Sequence, residues 1–525
     1  MVNSRSIQGI LVLIVATFLA VWLGLSIVTN QIETILQVMA AAVLILCLFL
    51  GRRIWLLIPF MAALDLSLRI PGQPSSLLLG QLLVLGFCTL LFMMRKLPFK
   101  LEVSELEIWV MILTFFVVQV YLRNPVGVNI FGGDTVGGKG YALYAIAVAS
   151  ALLLSGLRVP ASELKWILRV SIVGGLLNGA ISVLGSYVSI IGYYTGAEFE
   201  DPADAGFEGE VVDARAATRV GFLLGLGNNL SLWISSYISP LRACVRPMWA
   251  VLVLMALVAA TMSGFRNGII TVGLTFLIGI AYRGGLSGVA ISVFGLVGGL
   301  SLLAVVNSMS PLPPNIQRSL TFLPGTWERR YKEDAAGSSE WRLEIWREVL
   351  LTDRWIQNKW IGDGLGFSAA ELAGQMNTRK GARSGISGFD PHREAILASG
   401  DYHSGPVSTI RVIGYVGLAF FLLAQIRLAV HAHRQIRRCL GTEWLPLALI
   451  VGIPVIMAPI VYVFIFGDFK TNTALYLMSL GMIRLLQKNL PLPVYASHRR
   501  APFVLGTANR LREVAQPAGS NRQRA

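Results

Sequence analysis

Residues 248–282 read MWAVLVLMALVAATMSGFRNGIITVGLTFLIGIAY, and Arg266 is the only charged side chain among them. Two apolar runs, Met248 to Phe265 and Ile269 to Tyr282, meet at a tight Gly-Phe-Arg-Asn turn. A bilayer core about 30 Å thick needs roughly 20 apolar residues per helix. The stretch therefore predicts two membrane-spanning helices joined by a hairpin, with an arginine at its tip.

The rest of the chain has the same character. Of its 525 residues 54% are hydrophobic and 14% charged, with a mean hydropathy of +0.65, too little polar content to cover a soluble globule. We predict an all-α, polytopic transmembrane helix bundle of about 12–14 spans. The fourteen candidates are Ile10 to Val28, Ile32 to Leu50, Ile54 to Leu68, Leu77 to Met94, Ile108 to Leu122, Tyr141 to Leu157, Ile167 to Ile190, Phe222 to Leu241, Met248 to Phe265, Ile269 to Tyr282, Val289 to Val306, Ile410 to Val430, Leu445 to Phe466 and Leu475 to Leu486.

Basic clusters predict the orientation of these spans. They follow even-numbered spans, as Arg52-Arg53 and Arg437-Arg438 do, and Lys and Arg in short loops stay in the cytoplasm. Both termini are then cytoplasmic. We divide the chain into transmembrane helices 1–11 (1–309), a periplasmic loop or lid (310–409), C-terminal transmembrane helices (410–488) and a basic, disordered cytoplasmic tail (489–525).

The loop between Ser310 and Thr409 is the polar part of the chain. It holds twelve Lys and Arg and twelve Asp and Glu, so the formal net charge of +15 lies elsewhere, chiefly on the inner face. That excess suits anionic membrane lipids better than nucleic acid. Residues Ser338 to Leu351 place Trp341, Ile345, Val349 and Leu350 on one stripe, which predicts an amphipathic helix capped by Ser338 or Ser339.

Several basic groups fall on the predicted outer face. Guanidinium groups bind phosphate oxygens in bidentate fashion, so such arginines suit a diphosphate, although a snorkelling or salt-bridged arginine stays an alternative for each. A neutral histidine can accept the proton of an attacking hydroxyl, or it can be an ordinary hydrogen-bonded loop residue. The candidates are Arg219, Arg266, Arg342 and His403, with Asp401 and His392 as auxiliary groups.

Metal and nucleotide chemistry have little support in the sequence. His392 and His403 stand eleven residues apart with no cysteine nearby, and the chain has neither an Asp-x-Asp motif nor a Walker A motif. Asp363-Gly-Leu-Gly366 lacks the strand context of a dinucleotide loop and predicts a tight turn. We therefore predict no metal and no cofactor.

In order and approximate spacing, these residues resemble the superfamily of O-antigen ligases and Wzy-type O-antigen polymerases, bacterial inner-membrane glycosyltransferases with a GT-C-like fold and a large periplasmic loop. The resemblance runs from about Arg215 to Phe421 and onward. Ser404 and Arg411 depart from the family pattern, which usually has Asn after the histidine and often an acidic residue at the second position. The matching segments are Arg219 with Asn228-Asn229, Ser263 to Arg266, Trp341-Arg342 with Trp346, Gly362 to Phe367, and His403 with Gly414 to Leu418.

The resemblance implies transfer of an oligosaccharide from an undecaprenyl-diphosphate carrier to a glycan or lipid acceptor at the periplasmic face. Arg219, Arg266 and Arg342 would hold the diphosphate, and His403 would activate or orient the acceptor hydroxyl. The reaction would be metal-independent and inverting, and polysaccharide-assembly proteins would be possible partners. We favour a polymerase over a ligase.

A transporter or flippase for lipid-linked oligosaccharides is the competing hypothesis. It predicts charged residues within several spans and broken helices near the membrane midplane. Asp65, inside the third predicted span, is a candidate coupling group for transport, or a partner of Arg69. The other spans are strongly apolar, and the polar residues gather in one outer loop, so we rank this hypothesis second.

Overall fold

The computed structural model of the chain describes Cys47 and residues 49–69, 73–126, 136–195, 220–367, 396–400 and 402–491. The part of the chain within these ranges is almost entirely helical and contains no strand. The first predicted span, most of the second, and the basic tail beyond residue 491 lie outside it.

The first half of the described chain forms nine helices after a short 3-10 helix, Gly51–Leu56. Serine side chains cap two of them, since Ser75 and Ser104 accept backbone N–H groups of the turns that follow them. In chain order the helices are α1 (Leu57–Leu64), α2 (Ser76–Met93), α3 (Glu105–Arg123), α4 (Lys139–Gly156), α5 (Ala161–Tyr187), α6 (Ser189–Thr195), α7 (Gly221–Tyr237), α8 (Pro240–Cys244) and α9 (Pro247–Met262).

The second half forms six more helices. Two of them contain a glycine with non-helical dihedral angles, Gly285 in one and Gly414 in the other. They are α10 (Arg266–Met309), α11 (Pro314–Leu320), α12 (Arg329–Leu351), α13 (Gly405–Cys439), α14 (Leu445–Phe464) and α15 (Phe469–Asn489).

Seven of the described helices are long and apolar enough to cross a membrane, which agrees with a multi-pass membrane protein. They are α2, α3, α4, α5, α10, α13 and α14. The apolar helix α9 is shorter, at 16 residues. In α10 the most apolar window has no buried residue, as expected of a helix that faces lipid.

Three predicted spans differ from the helices observed. The third, Ile54 to Leu68, ends early, because Asp65 adopts a left-handed conformation (φ 41°) that terminates α1. The tenth and eleventh lie within α10 on either side of Gly285 (φ 67°, ψ −169°). Glycine takes this conformation without the steric cost that a Cβ would bring, so the two runs are separated by one backbone break.

The bundle has two distinguishable ends. At the C-terminus of α3, Arg123 donates a hydrogen bond to the carbonyl of Gly362 at 2.5 Å. Near the N-terminus of the same helix, Glu107 accepts one from Nε of Arg484 at 2.7 Å. The 19 residues of α3 span about 28 Å at 1.5 Å per residue, close to the hydrocarbon thickness of a bilayer. We call these the loop end and the far end.

The main hydrophobic core joins α3, α4, α13, α14 and α15. Phe421 at its centre is fully buried, and its ring packs edge-on against those of Tyr462, Phe469 and Tyr476 at centroid distances of 5.3, 5.4 and 5.8 Å. A second core joins α7, α9 and α10. Helices α10 and α13, next to the candidates Arg266 and His403, are therefore each held in a packed group of neighbours.

The amphipathic helix of the loop is present but begins earlier than predicted. Helix α12 starts at Arg329 after Glu328, so neither Ser338 nor Ser339 caps it. The prediction failed because the first turns are exposed and show no apolar stripe from which to locate the start. Ion pairs hold them instead, between Arg329 and Glu333 and between Arg318 and Asp334.

Candidate functional site

The Gly362–Phe367 segment forms a close backbone junction with α13. A Cβ added to Gly414 (φ 74°) would lie 2.2 Å from the carbonyl oxygen of Trp360, and one added to Gly362 (φ 80°) would lie 2.4 Å from that of Val412. The N–H of Tyr415 donates to the carbonyl of Lys359 at 2.8 Å. Because α13 is broken at Gly414, the N–H of Tyr415 lacks its usual acceptor within the helix. The loop carbonyl of Lys359 replaces that acceptor.

Asp363 organises this loop. Its two carboxylate oxygens accept the N–H groups of Gln357 at 2.6 Å and Asn358 at 3.0 Å, and its own N–H donates to the carbonyl of Arg411 at 2.6 Å. Across the junction, the hydroxyl of Tyr141 accepts the N–H of Leu365 at 3.1 Å. The predicted tight turn at Asp363-Gly-Leu-Gly366 is observed only as a bend at residues 365–366, because the N–H groups of Asp363 and Gly364 donate to the Arg411 carbonyl across the junction.

Helix α12 docks on the segment that precedes α13. Ile345 and Val349 are fully buried and form a core with Leu397, Tyr402 and Ile410, while Trp341, Trp346 and Leu350 pack around it. The indole Nε1 of Trp346 donates to the Tyr402 carbonyl at 2.8 Å. The predicted apolar stripe of this helix is confirmed, and its partner is the chain around the candidate histidine.

His403 lies between two aromatic rings. Its imidazole is 5.7 Å from the ring of Trp341 on α12 and 5.6 Å from that of Phe466, which follows α14. Its backbone has φ 49°, a left-handed conformation that is uncommon for a residue with a Cβ. The side chain is half-buried. Two planar neighbours and an unusual backbone restrict the directions in which the imidazole can point.

Arg266 begins α10 directly after the predicted hairpin. Gly264 makes the turn (φ 73°), and the hydroxyl of Ser263 accepts the Phe265 N–H at 3.2 Å. The half-buried guanidinium of Arg266 interacts electrostatically with those of Arg318 and Arg342 and with the carboxylate of Asp334. We call the three arginines of this group, Arg266, Arg318 and Arg342, the arginine cluster.

The arginine cluster carries an excess of positive charge. Arg318 pairs with Asp334 at 2.7 Å, whereas Arg266 and Arg342 form no ion pair or hydrogen bond with any residue that the structure describes. Burial lowers the pKa of the Arg342 guanidinium, although an arginine stays charged at neutral pH. A partly buried, uncompensated guanidinium is stabilised by an anion, and two together suit a divalent one.

Arg342 links the arginine cluster to His403. Its chain neighbour Trp341 contacts the imidazole, and Arg342 itself interacts with Arg266. Three of the predicted site residues therefore lie in one region of the loop end. The other three, Arg219, His392 and Asp401, are outside the described residues. Val220, which follows the first of these, donates to the Ser263 carbonyl at 3.0 Å, beside the Arg266 turn.

Comparisons with known proteins leave the family open. No protein-family model matches this chain, and no curated protein is similar to it at a significant level. The chemistry of the loop end is therefore argued from its own residues.

Two arginines of this region were missed as candidates from the sequence. Arg318 lies on the short helix α11 and joins Arg266 electrostatically. Its position on the predicted outer side is the same signal that singled out the other arginines. Arg411 was noted only as a departure from the family pattern, yet its side chain is 4% exposed and lies in the interior of the loop end. No sequence signal marks an arginine as buried in this way.

Proposed function

We propose that the chain is a membrane glycosyltransferase of surface polysaccharide assembly. It transfers or polymerises oligosaccharide units from an undecaprenyl-diphosphate donor at the periplasmic face, with the loop end facing outward. The observation that carries the proposal is the convergence of two guanidinium groups that form no ion pair with a described residue, Arg266 and Arg342, on a region that also holds His403.

The arginine cluster suits the leaving group of this reaction. When the bond between the sugar and the diphosphate breaks, negative charge develops on the phosphate oxygens. Fixed guanidinium groups neutralise that charge without reorganising, and a site that excludes water strengthens their effect. Arg266 and Arg342 are half-buried on two different helices, α10 and α12, so they can approach a diphosphate from two sides.

His403 suits the acceptor side of the reaction. An acceptor hydroxyl attacks the anomeric carbon of the donor sugar and gives its proton to the neutral imidazole. The new glycosidic bond forms as the bond to the diphosphate oxygen breaks, and the lipid diphosphate leaves with that electron pair. One displacement of this kind inverts the anomeric centre. The aromatic rings of Trp341 and Phe466 hold the imidazole from two sides.

The acceptor decides between polymerase and ligase. A second lipid-linked repeat unit as acceptor extends the polymer, whereas a lipid core ends it. Both reactions use the same donor site. We favour the polymerase and keep the ligase as its close variant.

The transporter alternative is less well supported by the described residues. Asp65 ends α1 in a left-handed turn instead of lying inside a continuous helix. The break at Gly414 receives the Trp360 segment of the loop, so it serves a packing contact. In a deletion strain, lipid-linked repeats left on the inner face would favour the transporter, and outward-facing unpolymerised repeats would favour the transferase.

The transferase is tested by single alanine substitutions at Arg266, Arg342 and His403, expressed in a deletion strain. Removing one preorganised charged donor from such a site costs a factor of about 100 to 1,000 in rate. Polymer length on gels should collapse at equal protein levels. Arg347→Ala is the matched control, because Arg347 lies on the same helix with an exposed side chain. Polymer of normal length from all three variants would exclude the proposal.

A further inference from the structure

A small cleft at the loop end contains a buried arginine that the proposed reaction does not use. The cleft measures about 40 Å³, and its polar lining residues are Arg411, Ser408, Ser399, Asp468 and Lys470. The guanidinium of Arg411 donates through one terminal nitrogen to the carbonyl of Ala398 at 3.2 Å and stacks 4.1 Å from the ring centre of Phe367. Its Nε is buried and has no hydrogen-bond partner.

A buried guanidinium with so few partners destabilises the folded protein. Burying a charge costs several kcal/mol unless a counter-charge and hydrogen bonds compensate it. The Ala398 carbonyl, the Phe367 ring and the neighbouring Tyr402 hydroxyl supply only part of that compensation, and no carboxylate of the described residues pairs with Arg411. Asp468, which lines the cleft, accepts the N–H of Thr471 at 2.8 Å as the cap of α15. An anion in the cleft would complete the coordination of Arg411.

The size of the cleft limits the anion. A site needs roughly 10–15 Å³ of such volume to hold one water, so a cleft of about 40 Å³ has room for a small anionic group. A carboxylate has three heavy atoms, and its two oxygens match the planar guanidinium fork. The hydroxyl of Ser408 accepts the Tyr402 N–H at 3.2 Å, which leaves its own proton to donate to a carboxylate oxygen.

The cleft adjoins the candidate catalytic residue. Tyr402, next to His403 in the chain, interacts electrostatically with Arg411. On the opposite side, the ring of Phe466 contacts His403, and the chain reaches the cleft two residues later at Asp468. A sugar held near the imidazole could therefore place a substituent in the cleft.

We propose that this cleft binds a carboxylate of the glycan, so that the substrate of the enzyme contains an acidic sugar. The assignment of the carboxylate to the glycan rests on the proposed function, whereas the binding of a carboxylate to Arg411 does not. Arg411 then acts as a specificity-determining residue, and the arginine cluster holds the diphosphate.

Binding is tested with the full chain purified in lipid nanodiscs, by the shift of its thermal unfolding midpoint with ligand. The probes are glucuronate and, as the neutral control, glucose at matched ionic strength. The wild type should gain a saturable upward shift with glucuronate alone. In Arg411→Gln, which keeps a hydrogen-bond donor but loses the charge, the apparent affinity should fall about 10-fold or more. An equal response to both sugars, or an unchanged response in Arg411→Gln, would overturn the proposal.

Two further arms make the result decisive. Lys470→Gln removes the second positive charge of the cleft and should also weaken glucuronate binding, which covers the case in which Arg411→Gln does not fold. Inorganic pyrophosphate probes the arginine cluster, and its effect should vanish in Arg342→Ala while persisting in Arg411→Gln. A wild-type protein that responds to glucuronate but not to pyrophosphate would count against the transferase, and one that responds to pyrophosphate but not to glucuronate would count against the carboxylate site.

Discussion

The two ends of the bundle differ in how their buried charged side chains are paired. At the far end, Glu107 is 2% exposed and accepts hydrogen bonds from Nε of Arg484 at 2.7 Å, from the hydroxyl of Ser155 at 2.9 Å and from the N–H of Ser104 at 2.9 Å. At the loop end, Arg266 and Arg342 form no hydrogen bond or ion pair with an acid among the described residues, and Asp334, which interacts electrostatically with Arg266, pairs with Arg318.

This difference in pairing distinguishes charged residues that stabilise the fold from charged residues that we propose bind a ligand. Glu107 and Arg484 compensate each other's charge and join α3 to α15. Their attraction therefore stabilises the folded protein without any ligand. The arginines of the loop end lose water on burial but gain no comparable ion pair within the protein. A bound anion would offset this desolvation cost. Charge pairing therefore distinguishes the end that holds the bundle together from the end that we propose binds substrate.

The largest expected effect on stability comes from breaking the far-end pair. Glu107→Ala leaves Arg484 buried without its acid, and loss of one partner from a buried pair costs about 3–5 kcal/mol. Glu105→Ala is the matched control, since its pair with Arg427 is more exposed and contributes about 1 kcal/mol or less. The free energy of unfolding in nanodiscs measures both. Equal losses would remove the distinction between the two carboxylates.

A middle-sized effect is expected at the junction of the loop with α13. Gly414→Ala forces a Cβ into a left-handed conformation and against the Trp360 carbonyl, 2.2 Å away. Strained backbone of this kind costs about 1–3 kcal/mol, and the clash adds to it. Gly441→Ala has a similar φ of 76° but open space around its Cβ, so it isolates the cost of the dihedral angle alone. The same unfolding measurement should rank Gly414→Ala as the more destabilising variant.

The smallest effect on stability is expected at the loop end. Arg342→Met removes a partly buried charge that has no described partner, while the aliphatic part of the side chain is replaced by one of similar shape. The free energy of unfolding should change by about 1 kcal/mol or less in the absence of ligand, although polymer synthesis is lost. A decrease as large as that of Glu107→Ala would show that Arg342 is structural, and the contrast between the two ends would disappear.

Local pattern explains which elements were predicted correctly. The spans from Leu77 to Met94, Ile108 to Leu122 and Tyr141 to Leu157 match α2, α3 and α4 to within a few residues, because apolar length and helix caps are encoded in neighbouring residues. The start of α12 was missed, since its exposed first turns carry no apolar stripe. The early end of the third span depends on one left-handed residue, Asp65, which composition does not reveal.

By itself, the sequence determined that this is a multi-pass helical membrane protein, that its polar residues gather in one loop, and that a few arginines and a histidine there require partners. Only the tertiary structure decided which of them meet. Arg266 and Arg342 come from helices α10 and α12, and the isolation of Arg411 depends on the packing of Phe367 and Ala398 around it. Apolar length and amphipathic period are local properties of a chain, whereas burial and charge pairing arise from contacts between segments far apart in it.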